Sequence, residues 1–307
     1  MNGTPVSIKF LHPGGERILS HSEIATGIAS WNTMKHSRKY VEAKGKFMSA
    51  VNSIPVEDIL GFWTEWEAPS KIVRVTNSKT LGYPCYVHTP LHPTAPVSHQ
   101  YKNTDPCVFG EYFLYSNCQQ YTSHGKQATV LQNLEPGDII VFGSHFGGLF
   151  VVDTVFVVKD VVPINRRQVR TRSIQQVPQW YYDLTLDFLV NNHVLYIGAT
   201  PSQPYKGMFS FFPCVSAVHR PRGFNRPATL HQTNSKQVRG FRYKGLGNPQ
   251  SIWNQVVQDT LSAGLLLGVN AKVPDPIIFN GNINNYGSSK SDVYHSARCG
   301  SYLGLRK

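Results

Sequence analysis

The segment Trp63-Thr-Glu-Trp-Glu67 places two indole rings and two carboxylates within five residues. Side chains alternate between the two faces of a strand, so Trp63, Glu65 and Glu67 would share one face and Trp66 the other. An indole ring can stack on a base turned out of its helix, while a carboxylate accepts a hydrogen bond from the amino group of that base. Two buried tryptophans with two solvated glutamates are an equally good interpretation.

A second polar group follows a strand predicted for Val108–Tyr115. Asn117 and Gln119 carry amides that donate and accept hydrogen bonds in the paired pattern of a base edge. The alternative is an ordinary polar loop after a strand. The side chains expected to line a base pocket are Trp63, Trp66, Tyr115, Asn117 and Gln119.

Asp153 interrupts the apolar run Leu149–Val158, which predicts a buried carboxylate. A buried carboxylate must be paired or change its pKa, so Asp153 is either catalytic or a hydrogen-bonded residue of the strand. The second interpretation is the one we favour, and Asp138 is expected in a turn. The candidate catalytic acids, if the protein is an enzyme, are Glu65, Glu67 and Asp153.

Residues 188–258 contain no aspartate or glutamate but many cations and aromatic rings, and the whole chain has a net charge of +12 and a pI of about 9.5. Unbalanced positive charge beside aromatic rings is typical of surfaces that bind phosphates and stack on bases. A solvated basic face is the alternative. The cations expected to contact a nucleic-acid backbone are Arg166, Arg167, Arg220, Arg222, Arg226, Lys236, Arg239, Arg242 and Lys244.

Several classes of protein are disfavoured by the sequence. It has no apolar run long enough to span a membrane and no secretion signal, and its five cysteines form no repeated pattern that would indicate a disulfide framework, so we expect a cytoplasmic protein. Cys85-x2-His88-x3-His92 lacks the second ligand pair of a zinc site, and no phosphate-binding loop is present. We therefore predict neither a metal nor another cofactor.

Many glycines and prolines beside many aromatic residues predict an α+β fold with short strands and frequent turns. Strands are expected at 139–143, 149–158, 194–197 and 208–212, with a hairpin at Gly147-Gly148. Helices are expected to begin after Ser20, at Pro178 and after Asn248, and a helical turn is expected at 54–60.

The turn Leu134-Glu-Pro-Gly-Asp138, the strand that follows it and the strand 153–158 resemble the PUA-like superfamily, which includes the EVE, ASCH and YTH domains. The resemblance implies a small β-barrel that binds RNA or DNA, often with a modified base in an aromatic pocket. We therefore expect one elaborated domain over 1–307: a PUA-like core at about 61–158, a basic aromatic extension at about 159–270, and a loosely held tail at about 280–307.

The resemblance, together with a chain about twice as long as a typical single domain, favours a DNA glycosylase. Such an enzyme would flip a modified base out of double-stranded DNA and hydrolyse its N-glycosidic bond in defence against phages. Two other functions stay open: a non-catalytic reader of modified DNA or RNA, and an ASCH-like hydrolase of nucleosides or RNA. None of the three needs a membrane partner.

Overall fold

The computed structural model describes residues 5–12, 15–32, 37–76, 83–93, 104–121, 127–146, 148–175, 177–189, 191–220, 222–228 and 248–277. The cations Lys236, Arg239, Arg242 and Lys244, and the expected tail at about 280–307, lie outside these ranges. Every helix within them is too short or too polar to cross a bilayer.

Three of the helices begin where the sequence predicts. The described ranges contain four α-helices: α1 (His21–Thr26), α2 (Arg166–Thr171), α3 (Gln179–Leu184) and α4 (Pro249–Ser262). The hydroxyl of Ser20 accepts a hydrogen bond from the Glu23 amide, and the Glu23 side chain accepts one from the Ser20 amide, which completes a capping box before α1. Pro178 precedes α3 as its N-cap residue. The Asn248 side chain accepts a hydrogen bond from the Ser251 amide and so caps α4, and Pro249 occupies the first turn, where a backbone N–H would have no partner within the helix.

The larger sheet has the strand order β13-β12-β4-β3-β6-β5-β2. These strands are β2 (Ile28–Ala29), β3 (Lys39–Met48), β4 (Val56–Thr64), β5 (Ser70–Val75), β6 (Tyr86–Pro90), β12 (Phe212–Ser216) and β13 (Leu266–Ala271). Because β13 also pairs with β3, the four strands β3, β4, β12 and β13 close into a small barrel. Closure leaves these four strands with fewer free edges.

The second sheet has the order β1-β9-β10-β11-β8. Its strands are β1 (Ser7–His12), β8 (Leu114–Tyr115), β9 (Ile139–Phe146), β10 (Leu149–Ile164) and β11 (His193–Gly198). A further pair joins β7 (His92–Pro93) to β14 (Pro276–Ile277). The hairpin β9–β10 was predicted from the sequence, and the structure confirms it.

The aromatic core fills the space between the two sheets. Phe62 and Phe212 of the barrel lie 4.3 Å apart between ring centroids, and Phe62 also contacts Phe109. Tyr115 stacks on Tyr196 in the second sheet at 5.8 Å. Aromatic side chains bury large areas, so these contacts are a main source of the stability of the fold.

The structure differs from the expected fold in the following places. Residues 56–60, part of the helical turn expected at 54–60, form the start of β4. The closed barrel is built from β3, β4, β12 and β13, whereas the expected core of about 61–158 supplies the end of β4, β5 to β9 and most of β10. Within the expected extension at about 159–270, the described strands β11, β12 and β13 pair with strands of the two sheets. These pairings join residues far apart in the chain, which local sequence patterns do not encode.

The described cysteines differ in their oxidation state. Cys107, Cys118 and Cys214 are buried free thiols, as the sequence leads us to expect. Cys85 is disulfide-bonded. Cys85 is therefore the exception among the described cysteines, whose spacing indicates no disulfide framework.

Asp138 holds the predicted turn in place. One oxygen of its carboxylate accepts the amide of Val6 at 2.6 Å, and the other accepts the amide of Glu135 at 2.9 Å. The carboxylate thereby connects the turn to the residue that precedes β1.

We expect Asp138→Ala to lower the free energy of unfolding by about 2 kcal/mol, because it leaves two amide donors without their acceptor. Glu135→Ala is the matched control, since its side chain is exposed in the same turn; it should change stability by no more than about 0.5 kcal/mol. Urea unfolding measures both variants. Equal stabilities would contradict the assigned role of Asp138.

Candidate functional site

Arg38 connects two of the three predicted acids. Its Nε donates to Asp153 Oδ2 at 2.7 Å, and its Nη1 donates to Glu65 Oε2 at 2.7 Å. All three side chains are at least 97% buried. Since Asp153 lies in β10 and Glu65 follows β4, the guanidinium group of Arg38 links the two sheets.

Local backbone structure explains why these side chains meet. Lys39 pairs with Thr64 at the end of the β3–β4 ladder, so Arg38 and Glu65 are the next residues on either side. In β10 the register with β9 shifts between Val152 and Thr154, which makes Asp153 the extra residue of a β-bulge. A bulge changes the direction of a side chain, and bulges are common beside functional sites.

Arg226 completes this cluster from another segment. Its Nη1 donates to Asp153 Oδ1 at 3.1 Å and to Ser144 Oγ at 3.3 Å. Its guanidinium carbon lies over two aromatic rings, 5.0 Å from the centroid of Trp63 and 5.4 Å from that of Phe146. We call Arg38, Glu65, Ser144, Asp153 and Arg226 the arginine–carboxylate cluster; Trp63 and Phe146 border it.

Opposite charges hold the cluster in its ionised form. Although burial alone would raise it, the pKa of Asp153 is lowered by the charges of Arg226 and Arg38 and by their hydrogen bonds. The pKa of Arg38 rises despite burial, because two carboxylates face it. For Arg226 burial dominates, and its pKa is lowered although Asp153 opposes the change. Arg226 is therefore the less well compensated of the two arginines.

Glu67 belongs to a neighbouring group of buried charges around Lys39. The Lys39 ammonium donates to the carbonyl of Ala68 at 2.8 Å, and burial lowers its pKa well below the usual value, with the charge of Arg17 adding to the effect. Nearby, His88 shares a 3.0 Å hydrogen bond with Ser70. Burial and the charges of Lys39 and Arg17 lower the pKa of His88 to about 2, so its ring is neutral.

Asp105 organises the loop that contains Asn117. Its carboxylate accepts the amides of Ser116, Asn117 and Cys118 at 2.7 to 3.0 Å. Burial raises the pKa of Asp105 to about 7, although the three amide donors oppose the rise, and the charge of Glu65 adds to it. Burial raises the pKa of the Cys118 thiol, and the negative charges of Glu65, Asp105 and Glu67 raise it further. The loop therefore lies next to the two glutamates.

The structure thus brings together three of the predicted segments: the one with Glu65 and Glu67, the loop with Asn117, and the strand with Asp153. Trp63 borders the cluster, and its indole nitrogen donates to the carbonyl of Phe224 at 3.1 Å.

The other expected pocket residues take part in the packing of the core or of the loop. Trp66 is buried against Phe109, and its indole nitrogen donates to the carbonyl of Pro69. The hydroxyl of Tyr115 donates to the carbonyl of Cys118 in the core. Gln119 has a positive φ of 58° and its carbonyl accepts a hydrogen bond from Thr129, so its backbone shapes the loop.

The expected backbone cations divide into two groups. Arg166, Arg167, Arg220 and Arg222 are exposed, where phosphates could reach them. Arg226 is a correction to the sequence analysis: its side chain is 3% exposed and bonded to Asp153, so it offers no surface to a nucleic-acid backbone in this conformation. The acid-free composition of its segment gave no indication that this arginine is buried.

Arg38, Asp105 and Lys39 are the residues of this region that sequence reasoning missed. Arg38 and Lys39 lie in a polar stretch with no apolar alternation to mark them as buried, and Asp105 resembles an ordinary turn residue before Pro106. Two buried carboxylates predicted in a basic protein do require buried cations as partners. The sequence therefore indicated that buried cations must exist, but it did not indicate which of the thirty basic residues they are.

The cluster differs from a metal site in its chemistry. Guanidinium groups already occupy the carboxylate oxygens of Asp153, and within the ranges that the structure describes no three His, Cys, Asp or Glu side chains are gathered as a metal would require. What the cluster offers is two fixed negative charges, planar hydrogen-bond donors and an aromatic border. Comparisons with protein-family models, with curated proteins and with solved structures gave no match.

We expect Asp153→Asn to lower the free energy of unfolding by about 3–5 kcal/mol, because it leaves two buried guanidinium groups facing a neutral amide. Asp160→Asn is the matched control, since it makes the same change at an exposed position of the same strand. Urea unfolding of both variants gives the comparison. A loss of less than about 1 kcal/mol for Asp153→Asn would show that the ion pairs contribute little.

The raised pKa of Asp105 predicts a pH dependence. Between about pH 4 and its folded pKa of about 7, the folded chain holds a proton that the unfolded chain has released. The protonated Asp105 carboxyl group therefore makes its full contribution to the free energy of unfolding below about pH 4. This contribution falls as the pH rises towards 7, by up to about 1.4 kcal/mol per pH unit.

Asp105→Asn mimics the protonated carboxyl group and should reduce that slope, as measured by urea unfolding at pH 5 and pH 7. Asp160→Asn should keep the slope of the wild type. Identical slopes in all three proteins would mean that Asp105 titrates outside this range.

Proposed function

We propose that this protein binds nucleic acid and recognises a modified base beside the arginine–carboxylate cluster. The single observation that carries the proposal is the meeting of Trp63, Glu65 and Asp153 around two buried arginines, Arg38 and Arg226, in a strongly basic protein. Stacking by an aromatic ring and acceptance of hydrogen bonds by a carboxylate are the two interactions that hold a base outside its helix.

Energetics supports a functional reason for the cluster. Apolar side chains of similar volume often give equal or greater stability than a buried set of ion pairs. Four charged side chains on separate segments are therefore an inefficient way to fill this space. Groups that recognise a polar ligand, in contrast, must carry charge and must be held rigidly in place.

The exposed cations supply the second part of the proposal. Arg220 and Arg222 lie in the segment that leads to Arg226, and both are exposed. The residues after this segment continue the acid-free, basic composition. Phosphate contacts at Arg220 and Arg222 would hold the backbone of a nucleic acid near the cluster without reading its sequence.

Two finer parts of the proposal rest on the sequence resemblance. The closed four-stranded barrel agrees in kind with the small barrel of the PUA-like superfamily, and we keep that relationship as a proposal. For chemistry we propose excision of the base by hydrolysis of its N-glycosidic bond. Glu65 would act as a fixed negative charge that stabilises positive charge developing on the sugar, a role that suits a carboxylate paired with arginine, while Asp153 would face the base.

The test is incubation of the purified protein with unmodified DNA and with two modified DNAs, one carrying glucosylated hydroxymethylcytosine and one carrying 7-methylguanine. Released modified base, detected by mass spectrometry, together with alkali-sensitive sites above those of a sample without protein, supports excision when it occurs only in a modified DNA. Selective binding without release supports a reader of modified nucleic acid. Absence of binding to all three DNAs, and to RNA, overturns the proposed function.

We expect the double variant Arg220→Ala/Arg222→Ala to reduce the slope of log Kd against log salt by about two, roughly 0.9 for each phosphate contact removed. Lys44→Ala/Lys46→Ala is the matched control, because it removes two exposed charges from β3. Fluorescence anisotropy with a labelled DNA duplex at several salt concentrations measures both slopes. Equal salt slopes for the two double variants would show that Arg220 and Arg222 do not contact the phosphate backbone.

A further inference from the structure

The side chain of Arg226 is held as a ligand would be held. Its guanidinium group is flat and cationic, it lies over the rings of Trp63 and Phe146, and it donates hydrogen bonds to Asp153 and Ser144. Aromatic rings around a cation, with a carboxylate beside them, form a general recognition site for flat or quaternary cations. The protein therefore already contains the elements of such a site, filled by its own side chain.

Arg226 is also the replaceable member of the cluster. Arg38 holds Asp153 at 2.7 Å, against 3.1 Å for Arg226, and Ser144 donates a further hydrogen bond to the same carboxylate. The charges of the two arginines repel each other. Asp153 therefore keeps a cationic partner when Arg226 leaves, and Glu16, a second carboxyl group that interacts with the charge of Arg226, keeps its hydrogen bonds from the Cys85 and Tyr86 amides.

The segment that carries Arg226 lies outside the regular strands but is attached to them. Residues 222–228 contain no helix or strand, although Phe224 packs in the core with Tyr40 and Trp63, and Ala228 forms an isolated bridge with Val151 of β10. The Trp63 indole also donates to the carbonyl of Phe224, and the Val152 amide donates to the carbonyl of Pro227. Release of Arg226 therefore requires local opening of this segment, and irregular segments with few backbone hydrogen bonds open at lower free energy than core strands.

We infer that Arg226 occupies the binding site of a positively charged, guanine-type base, and that this base replaces the Arg226 side chain when it binds. The inference deepens the proposed function and rests on it. The N1–H and amino group of guanine form part of a cyclic guanidine, so they can donate N–H hydrogen bonds to Asp153 and Ser144 in place of Nη1 of Arg226. A positive charge at position 7 adds the attraction to the rings of Trp63 and Phe146.

This assignment explains why the site would distinguish a modified base from an ordinary one. Neutral guanine offers the same donors to Asp153 but lacks the charge that the aromatic rings attract. Adenine and cytosine present different donor patterns on their pairing edges. A base must therefore carry both the N–H donors of guanine and a positive charge to match the Arg226 guanidinium group that it replaces.

The experiment compares Arg226→Ala with wild type and with Arg170→Ala, which removes an exposed arginine of α2 that takes no part in the proposed contacts. The probes are 7-methylguanosine 5′-monophosphate, guanosine 5′-monophosphate and 1,7-dimethylguanosine 5′-monophosphate, which share one phosphate group. Tryptophan fluorescence reports binding, and circular dichroism with urea unfolding confirms that each variant is folded.

We expect Arg226→Ala to bind the 7-methyl probe about tenfold more tightly than wild type or Arg170→Ala, and about tenfold more tightly than it binds the unmethylated probe, the order of a desolvated cation–π contact. The 1,7-dimethyl probe should lose that affinity because it lacks the N1–H donor. In the Arg226→Ala background, Phe146→Ala should weaken binding of the 7-methyl probe about tenfold.

Equal binding of the 7-methyl probe by Arg226→Ala and Arg170→Ala overturns the inference, and so does equal affinity for the methylated and unmethylated probes. If Arg226→Ala is unfolded, Arg226→Gln keeps an amide donor without the positive charge, and it too should bind the 7-methyl probe more tightly than wild type; failure to do so overturns the inference. Binding of modified DNA by wild type together with these failures would leave the proposed function standing, so the two are tested separately.

Discussion

The hydrogen-bonding requirement of Arg38 is the constraint on which the arrangement of the two sheets depends. A buried guanidinium group must have its donors satisfied and its charge compensated. In this protein one partner follows β4 of the barrel and the other lies in β10 of the second sheet. The hydrophobic core would tolerate small shifts between the sheets. The two 2.7 Å hydrogen bonds from the planar Arg38 guanidinium group would not.

That constraint also fixes the chemistry of the site. Because Arg38 holds Asp153 and Glu65, both carboxylates keep defined positions, and Asp153 keeps its negative charge at neutral pH. Trp63 is fixed beside them through its hydrogen bond to Phe224. Fixed charges next to an aromatic ring act on a ligand without first reorganising, which is what recognition or stabilisation of charge requires.

Much of the local structure, but less of the site, was predictable from the sequence. The capping box at Ser20, the N-cap at Asn248 and the hairpin of β9 and β10 follow from short-range rules that depend on a few neighbouring residues. The strand at Val56–Thr64 was missed, because Pro55 resembled the first residue of a helix while the pairing of β4 with β3 and β12 decided otherwise.

The sequence by itself determined which side chains carry charge and aromatic surface, and it marked Glu65, Glu67 and Asp153 as carboxylates in need of an explanation. Only the tertiary structure decided that Arg38 and Arg226 are their partners, since these residues lie 27 to 115 positions away along the chain. It also decided that Trp66 and Tyr115 belong to the core and that Arg226 faces inward. Charge and polarity are properties of a residue, whereas partnership and burial depend on which strands pair.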